Sequence, residues 1–374
     1  MEELEKVLRR EEQAIFSLRS LYRKYGYRQY KVNKFEEYDL YAHNKSFLVS
    51  DSVLTFTDTN GKLMALKPDV TLSIIKNSKD GEAALQRLYY NETVYRAADA
   101  YGGFREIMQT GLECIGRLGP YDVGEVVMLA ARSLATISGR WVLALSHLGF
   151  LSALLEEMTP SAEVQSAILH CIGEKNIHEL CAVCRSAGIP DDGCSRLQAL
   201  AQLHGPFGGC LPELSAICSG ERMSAALEEL ASIYAMMQAY GLEHRIVLDF
   251  SIVNDMRYYN GVIFQGYVDG IPTGILSGGR YDSLMQKMGK RSGAIGFAVY
   301  LDRLEHLQPP AAYDVDALIL YDDSEDPLQV LQAVKLLNDA GKTVRAERAR
   351  SGSIQYRQLL QLRKGGLEIL ETND

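Results

Sequence analysis

The first half of the chain combines two spacings of apolar residues. Helical spacing predicts a helix over residues 3–25, which we expect to end near Gly26. The stretch "SVLTFTDTNGKLMALKPDVT" alternates apolar and polar residues on both sides of Asn60 and Gly61, a dipeptide that favours a tight hairpin turn. The segments "LQRLYYNETVYRA" and "REIMQTGLECIG" predict two further strands, and residues 121–139 predict a helix.

The second half changes character twice. From residue 148 the pattern is mostly helical and indicates a helical insert at about 150–241. Strand patterns return in "HRIVLDFSI", in the hairpin "GVIFQGYVDGIPTGIL" and in "SGAIGFAVY". Together these elements predict an α+β fold, in which an antiparallel sheet is flanked by helices and interrupted by the insert.

The last part of the chain begins with the proline-rich stretch "QPPAAYD", which predicts a linker. We therefore expect a core domain at residues 1–310 and a small α/β domain at residues 311–374. Within the small domain the pattern predicts a strand (315–321), a helix (326–340), a strand (342–347), a helix (353–364) and a final short strand.

Composition and charge narrow the class of protein. Of the 374 residues, 47% are hydrophobic and 23% are charged, which is ordinary for a globular protein. No uninterrupted apolar run approaches a membrane span of about 18 residues. The N-terminal stretch "MEELEKVLRREEQ" is charged and unlike a signal peptide, so we expect a cytoplasmic protein. The formal net charge is −9 and no long Lys/Arg run offsets it, which argues against a nucleic-acid partner.

The seven cysteines are an odd number, which argues against a disulfide framework. His178, Cys181 and Cys184 follow one another at three-residue spacing and would share one face of a helix. A zinc site would need a fourth ligand, such as Cys171 or Cys194. The other interpretation, which we favour, is that these cysteines pack as small apolar side chains, so we expect no metal.

Candidate chemistry lies on the second of the two longer strands in the first half. Gln109, Gly111 and Glu113 have the same parity and therefore share one face of that strand. A carboxylate and an amide placed opposite the adjacent tyrosines Tyr258 and Tyr259 would suit a small ligand that carries an ammonium group. The alternative is that these polar side chains lie on a solvated face of the sheet.

Three arginines are candidate contacts for phosphate or carboxylate groups, namely Arg96, Arg105 and Arg303. A guanidinium group offers a planar bidentate fork to either anion, although a single arginine is more often a surface residue or a salt-bridge partner. The neighbouring Gly278 and Gly279 form neither a P-loop nor a dinucleotide fingerprint.

Five segments, taken in order, resemble the core of class II histidyl-tRNA synthetases over roughly residues 5–305. "MALKPDVT" is similar to that family's Leu-Arg-Pro-Glu-Gly-Thr stretch, and "VYRAADAYGGFREIMQTGLECIG" resembles motif 2. "NDMRYYNGVIFQG" and "SGGRYDSL" resemble the two histidine-specific signatures, and "AIGFAVYLDRL" resembles motif 3. The tail resembles the start of an anticodon-binding domain, cut short. The resemblance implies a class II synthetase-like fold and a histidine-like pocket formed by Asp69, Thr71, Gln109, Glu113, Tyr258 and Tyr259.

The departures from that family concern its catalytic groups. In the synthetases the double tyrosine follows an Arg-Gly-Leu-Asp run, whose arginine steadies charge while histidine attacks ATP, but the run here reads Asn254-Asp255-Met256-Arg257. Arg257 is three residues along and would lie on the opposite face of a strand, so we do not expect it to replace that arginine. A cation held against a transferring phosphoryl group can contribute about 10³–10⁵ in rate. Arg96 is followed by two alanines instead of the motif 2 Arg-x-Glu, Tyr300 replaces a motif 3 glycine, and Asn33 replaces the motif 1 proline. We therefore expect no adenylation and no cofactor.

Retention of the pocket with loss of these groups is similar to the regulatory subunits of ATP phosphoribosyltransferase. The resemblance implies a chain that is not itself an enzyme, and that pairs with the short-form catalytic subunit as a homodimer within a hetero-octamer. It implies activation of that subunit and histidine feedback inhibition in the first step of histidine biosynthesis, with histidine bound either in the pocket or at the subunit interface. The alternatives are a divergent histidyl-tRNA synthetase and a synthetase paralogue that acts on another amino acid.

Overall fold

A computed structural model gives the architecture of the chain. It describes residues 8–48, 52–80, 85–97, 103–158, 160–253, 258–307, 313–363 and 366–373. The chain divides into two compact units, Met1–His306 and Leu307–Asp374. In the described part of the chain, no helix is both long enough and apolar enough to cross a membrane.

Among the described residues, the first unit contains α1 to α11 and β1 to β12, and the second contains α12 and β13 to β16. The helices of the described residues are α1 (Arg10–Lys24), α2 (Tyr38–Ala42), α3 (Thr71–Asn77), α4 (Pro120–Ile137), α5 (Leu148–Met158), α6 (Ala162–Gly173), α7 (Ile177–Ser186), α8 (Asp191–Gln202), α9 (Phe207–Ile217), α10 (Gly220–Ala239), α11 (Asp282–Lys287) and α12 (Pro327–Asp339). The strands are β1 (Arg28–Gln29), β2 (Phe35–Glu37), β3 (Thr55–Thr57), β4 (Leu63–Leu66), β5 (Gln86–Ala97), β6 (Phe104–Gly116), β7 (Trp141–His147), β8 (His204–Pro206), β9 (Ile246–Asp249), β10 (Val262–Val268), β11 (Leu276–Arg280), β12 (Gly293–Tyr300), β13 (Val315–Leu320), β14 (Val344–Glu347), β15 (Tyr356–Arg363) and β16 (Gly366–Thr372).

A nine-stranded sheet forms the centre of the first unit, in the order β1-β5-β6-β12-β11-β10-β7-β9-β8. The strands from β5 to β7 pair antiparallel throughout, as the sequence predicts, while β1 and β9 join parallel to their neighbours. Helices α1 and α4 pack against one face of this sheet, where Tyr22 and Ser133 share a hydrogen bond of 3.0 Å between their hydroxyls. The opposite face is thereby left for the elements that carry the candidate site.

The predicted helical insert lies between β7 and β9 and consists of α5 to α10 with the short strand β8. Its long final helix α10 packs against α4 and α5. Through that contact the insert is joined to the helical layer of the sheet. The predicted hairpin is β3–β4. Strand β2 pairs with β4, on the side opposite β3, and the three strands form a separate sheet.

The second unit is a four-stranded sheet in the order β14-β13-β15-β16, with α12 between β13 and β14. The helix predicted at 353–364 is wrong, because residues 356–363 form strand β15 between β13 and β16. Leu360 and Leu362 pack into one apolar cluster and Tyr356 and Leu359 into another. A strand that is apolar on both faces lacks the alternating pattern and cannot be told from a buried helix by spacing alone.

Close contact between strands in the middle of the large sheet requires glycine at position 111. A Cβ atom at Gly111 would lie 2.3 Å from the carbonyl oxygen of Phe297 and 2.5 Å from the hydroxyl of Tyr90. Tyr90 is Gly111's partner in β5, and its ring therefore lies across the glycine. The absence of a side chain there lets a tyrosine cover the strand next to the candidate site.

We predict that Gly111→Ala lowers the free energy of unfolding by about 1–3 kcal/mol or more, because its neighbour on one side is backbone that cannot move aside. Chemical denaturation measures the change. Gly139→Ala is the matched control, since Gly139 is exposed and a Cβ atom added there would have no other atom within 4 Å. Equal losses in the two variants would contradict the close contact.

Candidate functional site

A cavity of about 290 Å³ opens on the face of the large sheet that α1 and α4 leave free. Strands β5, β6, β11 and β12 contribute to its wall, together with the start of α3 and the segment that precedes β10. The residues that line it are Phe47, Leu48, Asp69, Thr71, Tyr90, Arg96, Gln109, Glu113, Tyr258, Tyr259, Ser277, Tyr281, Gly296, Phe297, Ala298 and Tyr300.

All six residues predicted for a histidine-like pocket lie in this wall, although their role in binding stays a prediction. Gln109 and Glu113 share one face of β6, and each is only 2% exposed. The alternative of a solvated sheet face is therefore wrong. Residues 109–116 of β6 are all buried, because the cavity elements cover one face and helices cover the other.

The carboxyl group of Glu113 lies at the buried end of the cavity. It accepts a hydrogen bond from the Thr71 hydroxyl at 2.9 Å and a second from the hydroxyl of Tyr281. It lies across Gly296, where a Cβ atom would come within 1.7 Å of Glu113 Oε2. Burial raises the pKa of Glu113 to about 8, against the two hydrogen bonds, which lower it. The negative charge of Asp69 raises this pKa further.

Asp69 is the second carboxyl group of the wall. Its Oδ1 accepts a hydrogen bond of 2.8 Å from the backbone N–H of Leu72, in the first turn of α3. Burial raises the pKa of Asp69, while this backbone bond and the nearby positive charge of Arg96 lower it. The end of the cavity around Glu113 therefore carries two carboxyl groups, each of which is easier to protonate than in water.

Tyrosines enclose the acidic end. The ring centroids of Tyr258 and Tyr259 are 4.5 Å apart, and those of Tyr258 and Tyr281 are 5.8 Å apart. Phe47 also contacts Tyr258, with 6.1 Å between the ring centroids. Burial raises the pKa of Tyr258 and of Tyr281 well above its usual range, so both hydroxyls stay neutral and can donate hydrogen bonds.

Tyr281 and Tyr90 belong to the wall but were not among the predicted site residues. Tyr281 directly follows the arginine after the glycine pair in "SGGRYDS", so the motif that resembles a histidine-specific signature contained the signal. Tyr90 had no comparable signal, because only the register of β5 against β6 places it over Gly111. Gln109 adds an unused donor to this wall, since its Nε2 is buried without a hydrogen-bond partner among the described residues.

The three candidate arginines lie in different places. Arg96 lines the cavity, and its Nε donates to the carbonyl oxygen of Pro68 at 3.0 Å. Arg105 is its cross-strand partner but is exposed and is not part of the described wall, so its role as a contact stays a prediction. Arg303 donates to the carbonyl oxygen of Gly274 and lies outside the described wall.

Two other features of the sequence lie away from the cavity. Among the described residues, no three His, Cys, Asp or Glu side chains are arranged to hold a metal ion. Cys181 instead accepts a hydrogen bond of 2.6 Å from the amide of Gln198, and His178 is exposed. The stretch that contains Asn254, where the synthetases carry their catalytic arginine, lies outside the described residues.

The arrangement is suited to binding. Carboxyl groups and neutral hydroxyls lie at one end of the cavity, and the guanidinium of Arg96 lies on the same wall. Such a cavity can hold a small molecule that carries a cationic group and an anionic group.

The sequence profile of the histidyl-tRNA synthetase family matches residues 2–304. Curated relatives of this chain are ATP phosphoribosyltransferase regulatory subunits. The one from Oceanobacillus iheyensis is 28% identical over 84% of this chain and 79% of its own length. The one from Clostridium kluyveri is 30% identical over 76% of this chain and 74% of its own length.

Solved structures show the same fold. An ATP phosphoribosyltransferase regulatory subunit/histidyl-tRNA synthetase from Bacillus halodurans matches with a TM-score of 0.73 at 23% identity, over 94% of this chain and 93% of that one. A chain of the ATP phosphoribosyl transferase (HisG:HisZ) complex from Thermotoga maritima matches with a TM-score of 0.61 at 19% identity, over 77% of this chain and 96% of that one. The predicted class II synthetase-like fold is confirmed. This chain belongs to the histidyl-tRNA synthetase family, and within it to the ATP phosphoribosyltransferase regulatory subunits.

Proposed function

We propose that this chain is a non-catalytic regulatory subunit that activates the short-form catalytic subunit of ATP phosphoribosyltransferase and makes it sensitive to histidine. The observation that supports this proposal is a partly open cavity suited to a small zwitterion, in a chain whose sequence lacks the catalytic arginine of the synthetases. The predicted pocket residues lie together in the wall of the cavity, whereas the position four residues before Tyr258, where the synthetases carry that arginine, holds Asn254. Ligand binding is thereby retained without the group that would stabilise adenylate formation.

Histidine is the ligand that the cavity favours. The cavity has a volume of about 290 Å³. This is near the lower end of the usual range for ligand sites, about 300–1,000 Å³, and suits an amino acid. Glu113 and Tyr281 would take a cationic nitrogen of the ligand, since one is a carboxyl group and the other a neutral hydroxyl. Arg96 and the unused donor of Gln109 would take its carboxylate.

Binding of a cationic group would be linked to a proton. With a pKa of about 8, Glu113 is largely protonated at neutral pH while the cavity is empty. An ammonium or imidazolium ion beside it favours the carboxylate, so the proton leaves when the ligand enters. Asp69 and the phenols face the same carboxyl group, but the phenols stay neutral across this pH range.

The partner follows from the relatives. A chain of similar fold occurs in the HisG:HisZ complex of Thermotoga maritima, and we infer that this chain likewise assembles with a catalytic subunit. We propose a homodimer within a hetero-octamer, as expected from the sequence. For histidine to inhibit such an assembly, it must bind one state more tightly than the other, typically by about 1–3 kcal/mol.

We predict that adding this chain raises the turnover of the short-form catalytic subunit and that histidine suppresses the increase. Steady-state assays with and without the chain, across a histidine titration, test both effects. No change in turnover would overturn the proposed function. Histidine-dependent ATP–pyrophosphate exchange by the chain alone would instead favour the divergent synthetase.

We predict that Glu113→Ala weakens histidine binding by about 30-fold or more, because a buried charge partner is removed. Isothermal titration calorimetry measures the affinity, and thermal unfolding shows that the variant is folded. Glu106→Ala is the matched control, since Glu106 lies on the same strand but is exposed. Unchanged affinity in Glu113→Ala would contradict the pocket, and inhibition that survives in the complex would place histidine at the subunit interface.

We predict that stability without ligand falls as the pH rises from about 5 to about 8, and that Glu113→Gln reduces this fall. The folded-state pKa of Glu113 is raised from 4.5 to about 8, so the folded chain holds a proton that the unfolded chain loses within this window. Denaturation at several pH values measures the difference, which we expect to reach a few kcal/mol by about pH 8. Parallel pH profiles for wild type and variant would show that the group is not buried as described.

A further inference from the structure

Tyr300 contacts two guanidinium groups at the wall of the cavity. Its ring centroid is 6.0 Å from the guanidinium carbon of Arg96 and 4.6 Å from that of Arg303. It is the last residue of β12 and pairs with Gln109 of β6. Tyr300 therefore shares the cavity face of β12 with Gly296, which lies four residues earlier beneath the Glu113 carboxylate.

The two arginines are held by neutral groups. Arg96 donates to the carbonyl oxygen of Pro68, and Arg303 donates to the carbonyl oxygen of Gly274. Within the described residues, neither arginine forms an ion pair with a carboxylate. The charge of Arg96 lowers the pKa of the nearby Asp69 without forming an ion pair with it, and the ring of Tyr300 is the group that both guanidinium groups contact.

Only Arg96 of this pair belongs to the described wall of the cavity. The ring of Tyr300 is itself part of the wall, with Arg303 stacked against it. A single guanidinium matches one carboxylate in a bidentate manner, whereas two that face a common space match the several oxygens of a diphosphate or triphosphate. The presence of the ring therefore decides how many cationic groups a ligand can reach.

We propose that Tyr300 is a specificity-determining residue that separates Arg303 from the cavity and restricts the site to ligands with a single carboxylate. Pyrophosphate and the phosphate groups of nucleotides are excluded by the volume of the ring and by the loss of the second guanidinium. The inference rests on the proposed function only in treating the cavity as a ligand site, and it does not depend on the ligand being histidine.

The test measures pyrophosphate binding by titration calorimetry, in the presence of Mg²⁺, to the full chain and to ring-removing variants. Wild type is expected to bind pyrophosphate only weakly, through Arg96 alone. Tyr300→Ala is expected to bind pyrophosphate about 10- to 100-fold more tightly than wild type, as two charge-assisted hydrogen bonds become available. Tyr300→Val is a second variant that keeps strand propensity, and thermal unfolding confirms that each is folded.

Two matched variants separate the ring from the hydroxyl and from general loosening. Tyr300→Phe keeps the ring and is expected to behave like wild type. The double variant Tyr300→Ala with Arg303→Met is expected to lose the gained affinity, because the second guanidinium is gone. Folded ring-removing variants that gain no pyrophosphate affinity would overturn the inference, as would wild-type binding that depends on both Arg96 and Arg303.

A histidine titration of the same proteins keeps the two proposals apart. If pyrophosphate affinity appears on ring removal but histidine binds to none of the proteins, the inference stands and the pocket assignment fails. If histidine binds to wild type and to the variants but pyrophosphate affinity never appears, the pocket assignment stands and the inference fails.

Discussion

The cavity is organised around one buried carboxyl group that two hydroxyls hold in place. A carboxylate is expensive to bury unless it is hydrogen-bonded, and Glu113 meets that condition through Thr71 and Tyr281. These two donors come from the start of α3 and from the end of β11, so the carboxyl group joins segments far apart in the sequence. Gly296 completes the arrangement, because any side chain there would occupy the carboxylate's position.

The protonation state of the same carboxyl group largely sets the charge of the cavity. Burial keeps Glu113 easy to protonate, and the surrounding phenols stay neutral, so the empty cavity need not hold a full negative charge. In the proposed function, a cationic ligand would restore that charge on binding. Such a ligand would shift the assembly between two states only if it bound one of them more tightly.

The opposite side of the cavity is shaped by Tyr300. Its ring lies against both Arg96 and Arg303, and only the first of these reaches the cavity. If the ring excludes phosphate groups, as we propose, the wall is suited to one carboxylate ligand. Asn254 and Tyr300 are two separate departures from the synthetase motifs, and both are consistent with the proposed regulatory function.

The local sequence pattern was sufficient to predict an element where one of its faces is polar or where a turn has characteristic residues. The hairpin β3–β4, the long pair β5–β6 and the insert all followed from spacing and turn residues. Spacing failed at β15, which is apolar on both faces. Nor does spacing reveal that Arg105 lies outside the described wall of the cavity, because a residue's distance from a cavity is not encoded in its neighbours along the chain.

The sequence by itself determined the fold class, the family and the identity of the six pocket residues, because motifs carry residue types in a fixed order. Only the tertiary structure decided that Glu113 is buried beneath Tyr281, that Tyr90 covers Gly111, and that the ring of Tyr300 faces two arginines. Each of these depends on strand register and on contacts between distant segments. A carboxyl group's pKa and a cavity's size arise from such contacts, and residue order alone does not specify them.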